Sequence, residues 1–256
     1  MSDAPTYGFD TLQIHAGAKP DPATGARQTP IYQTTAYVFR DADHAAALFN
    51  LQEVGYIYSR LTNPTVAVLQ ERIATLEGGA GAVCCSSGHA AQIMALFPLM
   101  GPGRNVVVST RLYGGTVTQM SQTIKRFGWS AKFVDFDDLD AVKSAIDEDT
   151  RAVFCESIAN PGGYITDIRA IADITDAAGL PLIVDNTSAT PYLCNPISLG
   201  ATAASSIRAS STGWRRTSSP RSASRNRPIT GWSSPRCSGR WPSPSIPSRS
   251  GCATLA

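Results

Sequence analysis

Leu182-Ile183-Val184-Asp185-Asn186-Thr187 and, far upstream, Ser86-Ser87-Gly88-His89-Ala90-Ala91-Gln92 are the stretches on which the reading of this chain turns. In the first, an almost wholly apolar run ends on an acid, the pattern of a buried strand whose last residue reaches the sheet edge. A carboxylate there is costly unless a cation or several donors meet it. In the second, a short apolar strand over 81–85 gives way to small residues and then to an apolar helix predicted over 88–99. The first amides of that helix have no partner within it, and with the helix dipole they favour an anion. Gly88 admits close backbone approach, Ser86 and Ser87 add hydroxyls, and His89 contributes its main-chain amide. Each stretch also has an ordinary reading: a strand-to-helix turn of small residues, and an acid that caps a turn or ligates a metal.

Working outward, strand and helix alternate from residue 64 onward. Pro64 suits a first helical position, Val66, Leu69, Ile73 and Leu76 recur at helical spacing, and Gly78-Gly79 supply the stop. Strands are predicted over 105–109, 132–135, 151–156 and 180–185, with helices over 115–127, 138–146 and 168–178. This alternation predicts an α/β fold, a mainly parallel sheet with helices on both faces, in which ligands gather at the carboxyl ends of the strands. Residues 1–63, rich in Pro, Gln and Thr with a short helix near 43–49, read as an N-terminal arm and cap. Residues 64–202 form the core domain.

Further candidates sit past strand ends. Tyr113, in Leu112-Tyr113-Gly114-Gly115-Thr116, offers a ring face for stacking, or simply closes a core edge. Glu156 and Asn160 follow another strand, although Asn before Pro is also an everyday turn signal. Tyr58 and Arg60, near Asn63-Pro64-Thr65, offer a phenol and a guanidinium suited to phosphate, or a surface arginine beside a helix cap.

The chain of 256 residues has a formal net charge of +2, unevenly distributed. Residues 1–202 hold all 20 acids against 13 Lys and Arg, a net −7, whereas 203–256 hold nine Arg, no Lys and no acid. That second segment, 203–256, also contains 15 Ser and six Pro, and almost no large aliphatics. It is expected to be disordered, or at least to lack a core of its own. No apolar run opens the chain and none is long enough for a bilayer, so neither a signal peptide nor a membrane span is expected. Six cysteines without C-x-x-C spacing read as reduced thiols of a cytoplasmic protein.

Taken together, Tyr58-Ser59-Arg60-Leu61-Thr62-Asn63-Pro64-Thr65, the Ser86–Gln92 run, Tyr113-Gly114-Gly115-Thr116 and Val184-Asp185-Asn186-Thr187 resemble the Cys/Met-metabolism family of pyridoxal-phosphate enzymes. Thr11-Leu12-Gln13-Ile14-His15-Ala16-Gly17 and His89 resemble its O-acetylhomoserine sulfhydrylase branch. The resemblance runs from about residue 8 to about 201. It implies the large domain of a fold-type I enzyme, usually a homotetramer, with pyridoxal 5′-phosphate as cofactor. It further implies that Ser87, Gly88 and His89 grip the phosphate and that Tyr58 and Arg60 reach the phosphate of a neighbouring subunit. Tyr113 would stack on the ring and act in catalysis, Asp185, with Thr187 beside it, would pair with the ring nitrogen, and Asn160 would approach the ring hydroxyl. The implied reaction is γ-replacement, in which sulfide displaces acetate from O-acetyl-L-homoserine to give homocysteine.

The chain departs from the family after about residue 202. The Schiff-base lysine expected some twenty residues past the Val-Asp-Asn-Thr strand is absent, since the four lysines are Lys19, Lys125, Lys132 and Lys143. Arginine does not replace it, because the guanidinium stays protonated. The family's C-terminal domain, with the arginine for the substrate carboxylate, is not recognisable either. The simultaneous change of charge, aliphatic content and motif match motivates the hypothesis of a reading-frame shift near 202–204. Coding DNA that yields no Ser-x-x-Lys in either alternative frame would overturn it. Two other readings are a non-catalytic cofactor-binding or oligomerisation module, and weak nucleic-acid binding by the arginine-rich tail.

Overall fold

The computed structural model describes residues 7–206 and the backbone of 211–214. Three helices precede the sheet: α1 (Phe9–His15), α2 (Ala42–Phe49) and α3 (Pro64–Glu77). Then come β1 (Gly81–Cys84), α4 (Gly88–Leu96), β2 (Asn105–Ser109), α5 (Gly114–Thr118), β3 (Ser130–Val134), α6 (Leu139–Ala145), β4 (Thr150–Glu156), α7 (Ile168–Ala178), β5 (Leu182–Asp185), α8 (Thr190–Leu193), β6 (Ala203–Ser206) and β7 (Ser211–Trp214). Helix α5 runs on through a π turn, Gln119–Thr123, and a 3₁₀ turn, Ile124–Phe127.

The seven strands lie in the order β1-β7-β6-β5-β4-β2-β3. Strands β3, β2, β4, β5 and β6 pair in parallel, and β7 runs antiparallel between β6 and β1. The ends of β1, β2, β4 and β5 therefore open on the same edge of the sheet.

The period-2 side-chain alternation of the central strands builds two cores. Val106, Val108, Phe154 and Ile183 face one side, where Leu96, Met120, Ile124 and Trp129 cover them. Val107, Val153, Cys155, Leu182 and Val184 face the other, beneath Val142, Ile168 and Ile171. Each fully buried aliphatic contributes about 1.5–3 kcal/mol, which is why uninterrupted Val/Ile/Leu runs demand helices on both faces. The expected mainly parallel α/β architecture is present.

Local signals set the boundaries. Asn63 accepts from the Thr65 amide at 2.9 Å, Pro64 occupies the first turn of α3, and Gly78 ends it with φ 68°. Asp138 and Asp167 cap α6 and α7 through the amides of Ala141 and Ala170. Helix α1 was not foreseen; the Ala16 carbonyl after it accepts from Arg72 Nε of α3 at 3.0 Å.

The sheet continues past residue 202. Ala203, Ala204 and Ser205 are buried in β6, paired with Ile183, Val184 and Asp185, and the backbone of 211–214 forms β7. Alanine and serine are small enough for a strand enclosed on both sides, and the polar average of the whole segment concealed them. The rest of the arginine-rich tail, including every one of its arginines, lies outside the described residues. Among the described residues no helix is long and apolar enough to cross a membrane, and no cluster of three or more His, Cys, Asp or Glu could hold a metal ion.

Candidate active site

Asp185, the last residue of β5, is 6% exposed. Its Oδ2 accepts from Gln92 Nε2 at 3.0 Å, and its Oδ1 accepts from the Thr187 amide at 3.0 Å and the Thr187 hydroxyl at 2.5 Å. Among the described residues no ion pair includes it. Three donors orient this carboxylate without neutralising it, and a carboxylate has room for about four. A buried anion so placed fits a cationic donor such as a protonated ring nitrogen.

Asp185 lines a cavity of about 250 Å³ together with Tyr113, Thr116, Glu156, Ile158, Asn160, Thr187 and Ser188. Ligand pockets usually span roughly 300–1,000 Å³, so these residues form part of a site wall. Glu156, at the end of β4 and 5% exposed, organises the opposite side. Its two oxygens accept from the amides of Tyr113 at 2.7 Å and Asn160 at 3.2 Å. Burial raises its pKa, the two amides work against that, and the nearby Asp185 charge adds to it. One carboxyl thus fixes the two loops that present Tyr113 and Asn160.

Helix α4 brings the anion end. Ser87 is its N-cap, Oγ accepting from the Ala90 amide at 3.2 Å, which leaves the Gly88 and His89 amides without acceptors in the helix. Gly88 is buried, whereas Ser87 and His89 are exposed. The His89 carbonyl accepts from Gln119 Nε2 at 3.0 Å. The His89 ring stacks on Tyr113, with centroids 6.1 Å apart and planes at 27°. Through that stack the helix start and the Asp185 cavity meet. Glycine at 115 makes room: a Cβ there would come within 2.6 Å of Tyr113 and 2.7 Å of His89. The pocket therefore fits a flat, cationic heteroaromatic with an anionic arm, which is the outline of pyridoxal phosphate.

The remaining candidates lie elsewhere. Tyr58 and Arg60 sit in a turn built on the segment before it, where Ala36 bridges Tyr58 and the Ser59 amide donates to the Thr35 carbonyl at 2.9 Å. Both are exposed, Arg60 lies over the Tyr58 ring at 5.3 Å, and neither lines the Asp185 cavity. No lysine lines it either. Lys132 pairs with Asp147 and Lys143 with Asp140, while Lys19 and Lys125 are exposed. Two larger hollows, of about 510 and 750 Å³, lie between the N-terminal arm and α3 and contain none of the candidate residues.

Gln92, Thr116 and Glu156 were not assigned roles from sequence. Gln92 is the clearest omission: 1% exposed, it is the one long polar side chain in the otherwise apolar Ala90–Leu96 stretch. It faces Asp185 because it stands one helical turn after Gly88.

The chain is similar to known proteins. The chain is 52% identical over 194 residues to a homocysteine synthase of Schizosaccharomyces pombe, covering 75% of this chain and 45% of that protein. It is 48% identical over 201 residues to an O-acetyl-L-homoserine sulfhydrylase of Corynebacterium glutamicum, covering 78% and 46%. The chain thus spans about half the length of the curated relatives it matches. A crystal structure of a protein named as an O-acetylhomoserine (thiol)-lyase of Campylobacter jejuni, containing N′-pyridoxyl-lysine-5′-monophosphate, superposes with a TM-score of 0.80 at 40% identity, covering 83% of this chain and 55% of that one. A cystathionine gamma-lyase of Lactobacillus plantarum complexed with L-serine gives 0.74 at 34% identity, covering 82% and 55%. The family model for Cys/Met metabolism PLP-dependent enzymes matches residues 10–209, and with the sheet order and the strand-edge site already in place, the chain belongs to that family.

Proposed function

We propose that this chain holds pyridoxal 5′-phosphate at the strand edge and that its lineage performs γ-replacement on O-acetyl-L-homoserine, with sulfide as the incoming nucleophile. The buried carboxylate of Asp185, without an ion pair among the described residues, in the same cavity wall as Tyr113 and one ring contact from the start of α4, carries this reading. The names of the relatives support the substrate class.

When bound, the cofactor supplies an electron sink for carbanions at the substrate carbons next to it. Everything else falls to the chain. The Gly88 and His89 amides and the dipole of α4 hold the phosphate. Asp185 keeps the proton on the ring nitrogen, and Gln92 and Thr187 keep Asp185 aimed at it. Tyr113 covers one ring face, and Asn160 approaches the ring hydroxyl from the loop that Glu156 anchors. Tyr58 and Arg60 serve the phosphate of a second copy in a homo-oligomer, a tetramer by resemblance, and their exposure supports this.

The positions of the four lysines favour a second reading, in which this chain binds the cofactor without turning over. With no lysine lining the cavity, the cofactor is held by contacts rather than by a bond to the protein.

Titration of the purified chain with pyridoxal phosphate, followed by visible absorbance, tests the binding. Saturable binding should weaken at least about tenfold in Asp185→Ala, since removing one member of a buried charge pair is strongly unfavourable. Equal affinity in the variant and the parent would refute the role of Asp185. Release of acetate from O-acetyl-L-homoserine in the presence of sulfide separates the two readings.

A further inference from the structure

Glu77 closes α3 with its side chain 2% exposed. Among the described residues no ion pair includes it. Among the described residues only one of its oxygens is engaged: Oε1 accepts from Asn186 Nδ2 at 3.3 Å, and Oε2 has no partner. Asn186, fully buried beside Asp185, shows the complementary deficit. Its Nδ2 donates to Glu77 and to the Cys194 carbonyl at 2.9 Å, while its Oδ1 has no partner among the described residues. Two buried acceptors left unpaired on two residues already in contact is an unfavourable arrangement for a carboxylate.

A single proton resolves both deficits. On Oε2 it creates a donor, and Asn186 Oδ1 is the free acceptor on the same amide whose Nδ2 already meets Oε1. A carboxylic acid and a primary amide complement each other in two parallel hydrogen bonds. We propose that Glu77 is held as the neutral acid and clasps the Asn186 carboxamide at two points, so that the end of α3 positions the strand end bearing Asp185.

The surroundings agree. Burial raises the Glu77 pKa to about 7, the Asn186 hydrogen bond offsetting part of the rise. Among the described residues, the titratable groups on the elements around α3 are Asp10 and His15 on α1, Cys84 on β1, Tyr192 on α8, and Cys194 just beyond it. Burial and then the Glu77 charge raise the Cys194 thiol pKa. Asn195 adds only a neutral contact, donating to the Leu76 carbonyl at 3.0 Å. Asp185 is held on its own side by Gln92 and Thr187.

An acid whose folded pKa lies above its ordinary value stabilises the fold least when it must ionise. The Glu77 contribution is therefore intact below about 4.5, declines as pH rises through about 7, and is flat beyond. The interval between those two values sets an upper bound of roughly 300-fold on the change in the unfolding equilibrium constant.

The test compares the whole chain with Glu77→Gln and Glu77→Ala by urea unfolding from pH 5 to pH 8.5. Glutamine places a permanent donor where the acid has its proton and keeps the clasp at every pH. At pH 5, Glu77→Gln should match the parent within about threefold in the unfolding constant. The parent should then lose stability relative to it as pH rises, by up to the bound given above. Glu77→Ala should be weaker than both at pH 5. Infrared difference spectra of the parent against Glu77→Gln should show a protonated-acid carbonyl band at pH 6 that fades by about pH 8.5. Parallel pH profiles for parent and Glu77→Gln without that band would overturn the proposal, as would a glutamine variant as damaged as alanine at pH 5. The bearing of the clasp on the ring acid rests on the cofactor reading above. Both readouts need no cofactor, so failure of pyridoxal phosphate to bind would count against that reading and leave the clasp to be judged on its own.

Discussion

Gly115 lies one residue inside α5, and an ideal Cβ at that position would stand 2.6 Å from Tyr113 Cε1, 2.7 Å from His89 Cε1 and 2.9 Å from His89 Nε2. Its backbone is not among the positive-φ glycines, so alanine meets no backbone strain there. Inside a helix, glycine to alanine contributes about 0.5–1 kcal/mol of stability. Against this stands the His89–Tyr113 ring contact, at 6.1 Å between centroids, of a kind worth about 0.5–1.5 kcal/mol. Both rings are at the solvent edge, Tyr113 being 44% exposed, so they can swing aside instead of compressing the core. The two effects nearly cancel. Gly115→Ala should unfold within about 1 kcal/mol of the parent, a shift in Tm of no more than about 4 °C for a chain of this size. The ring wall of the cavity, however, is displaced. If Tyr113 stacks on the cofactor with the same strength as it does on His89, pyridoxal phosphate should bind roughly 2- to 13-fold more weakly. A thermal scan and an absorbance titration on one preparation measure both. Unchanged affinity would refute the stacking role of Tyr113, and a fall in Tm of more than about 8 °C would show that the rings are held far more tightly than their exposure implies.

Gln92→Ala removes the donors to Asp185 and Thr116 and leaves Asp185 Oδ2 with one partner fewer. Since Gln92 Oε1 has no partner to lose, the cost should fall near the lower end of about 1–3 kcal/mol in urea unfolding, and a loss under about 0.3 kcal/mol would contradict this account. Glu156→Gln turns one of two acceptors into a donor facing a backbone N–H, of Tyr113 or of Asn160. It should destabilise by about 1–3 kcal/mol and weaken cofactor binding together, and an isolated loss of only one would separate the two loops from the site. Borohydride treatment of the equimolar pyridoxal-phosphate complex, followed by peptide mapping, should leave Lys19, Lys125, Lys132 and Lys143 unmodified; stoichiometric label on any of them would contradict their placement away from the cavity.

Legibility in the sequence followed the range of the interactions. The strands over 105–109 and 151–156 and the helix over 168–178 announce themselves through apolar periodicity, a local signal, and the structure caps that helix with Asp167 and ends it at Gly179. Gly88 and Asp185 were legible because each sits where a period changes, from strand to helix or from strand to turn. The role of Glu156 was not, because its value lies in two amides supplied by separate loops, at Tyr113 and Asn160, and no spacing along the chain encodes that meeting. The contact between Gln92 and Asp185 likewise spans most of the sheet, though a lone glutamine in an apolar helix was a usable hint. Tyr58 and Arg60 show the opposite limit: motif likeness marked them for a phosphate, yet within one chain they pack on each other and on their own turn.

The boundary at 202 carries a further lesson about where the site ends. Charge and aliphatic content change there, but hydrogen bonding does not. The Thr202 amide donates to the Leu182 carbonyl at 2.8 Å, and the Asn186 amide donates to the Ser205 carbonyl at 2.7 Å, so β6 brackets both ends of β5. Without β6, the strand that ends on Asp185 would be an edge with exposed amides, and the acid would lose the low-dielectric surroundings that give its charge force. The small side chain of Ala203, in one core with Ala95 and Leu96 of α4, suits this place, because α4 packs over β6 and must come close enough for Gln92 to reach Asp185. A strand enclosed by a sheet and a helix asks for compact residues more than for aliphatic ones. The first few residues of a segment whose average composition forbids a core are therefore the ones that complete this one.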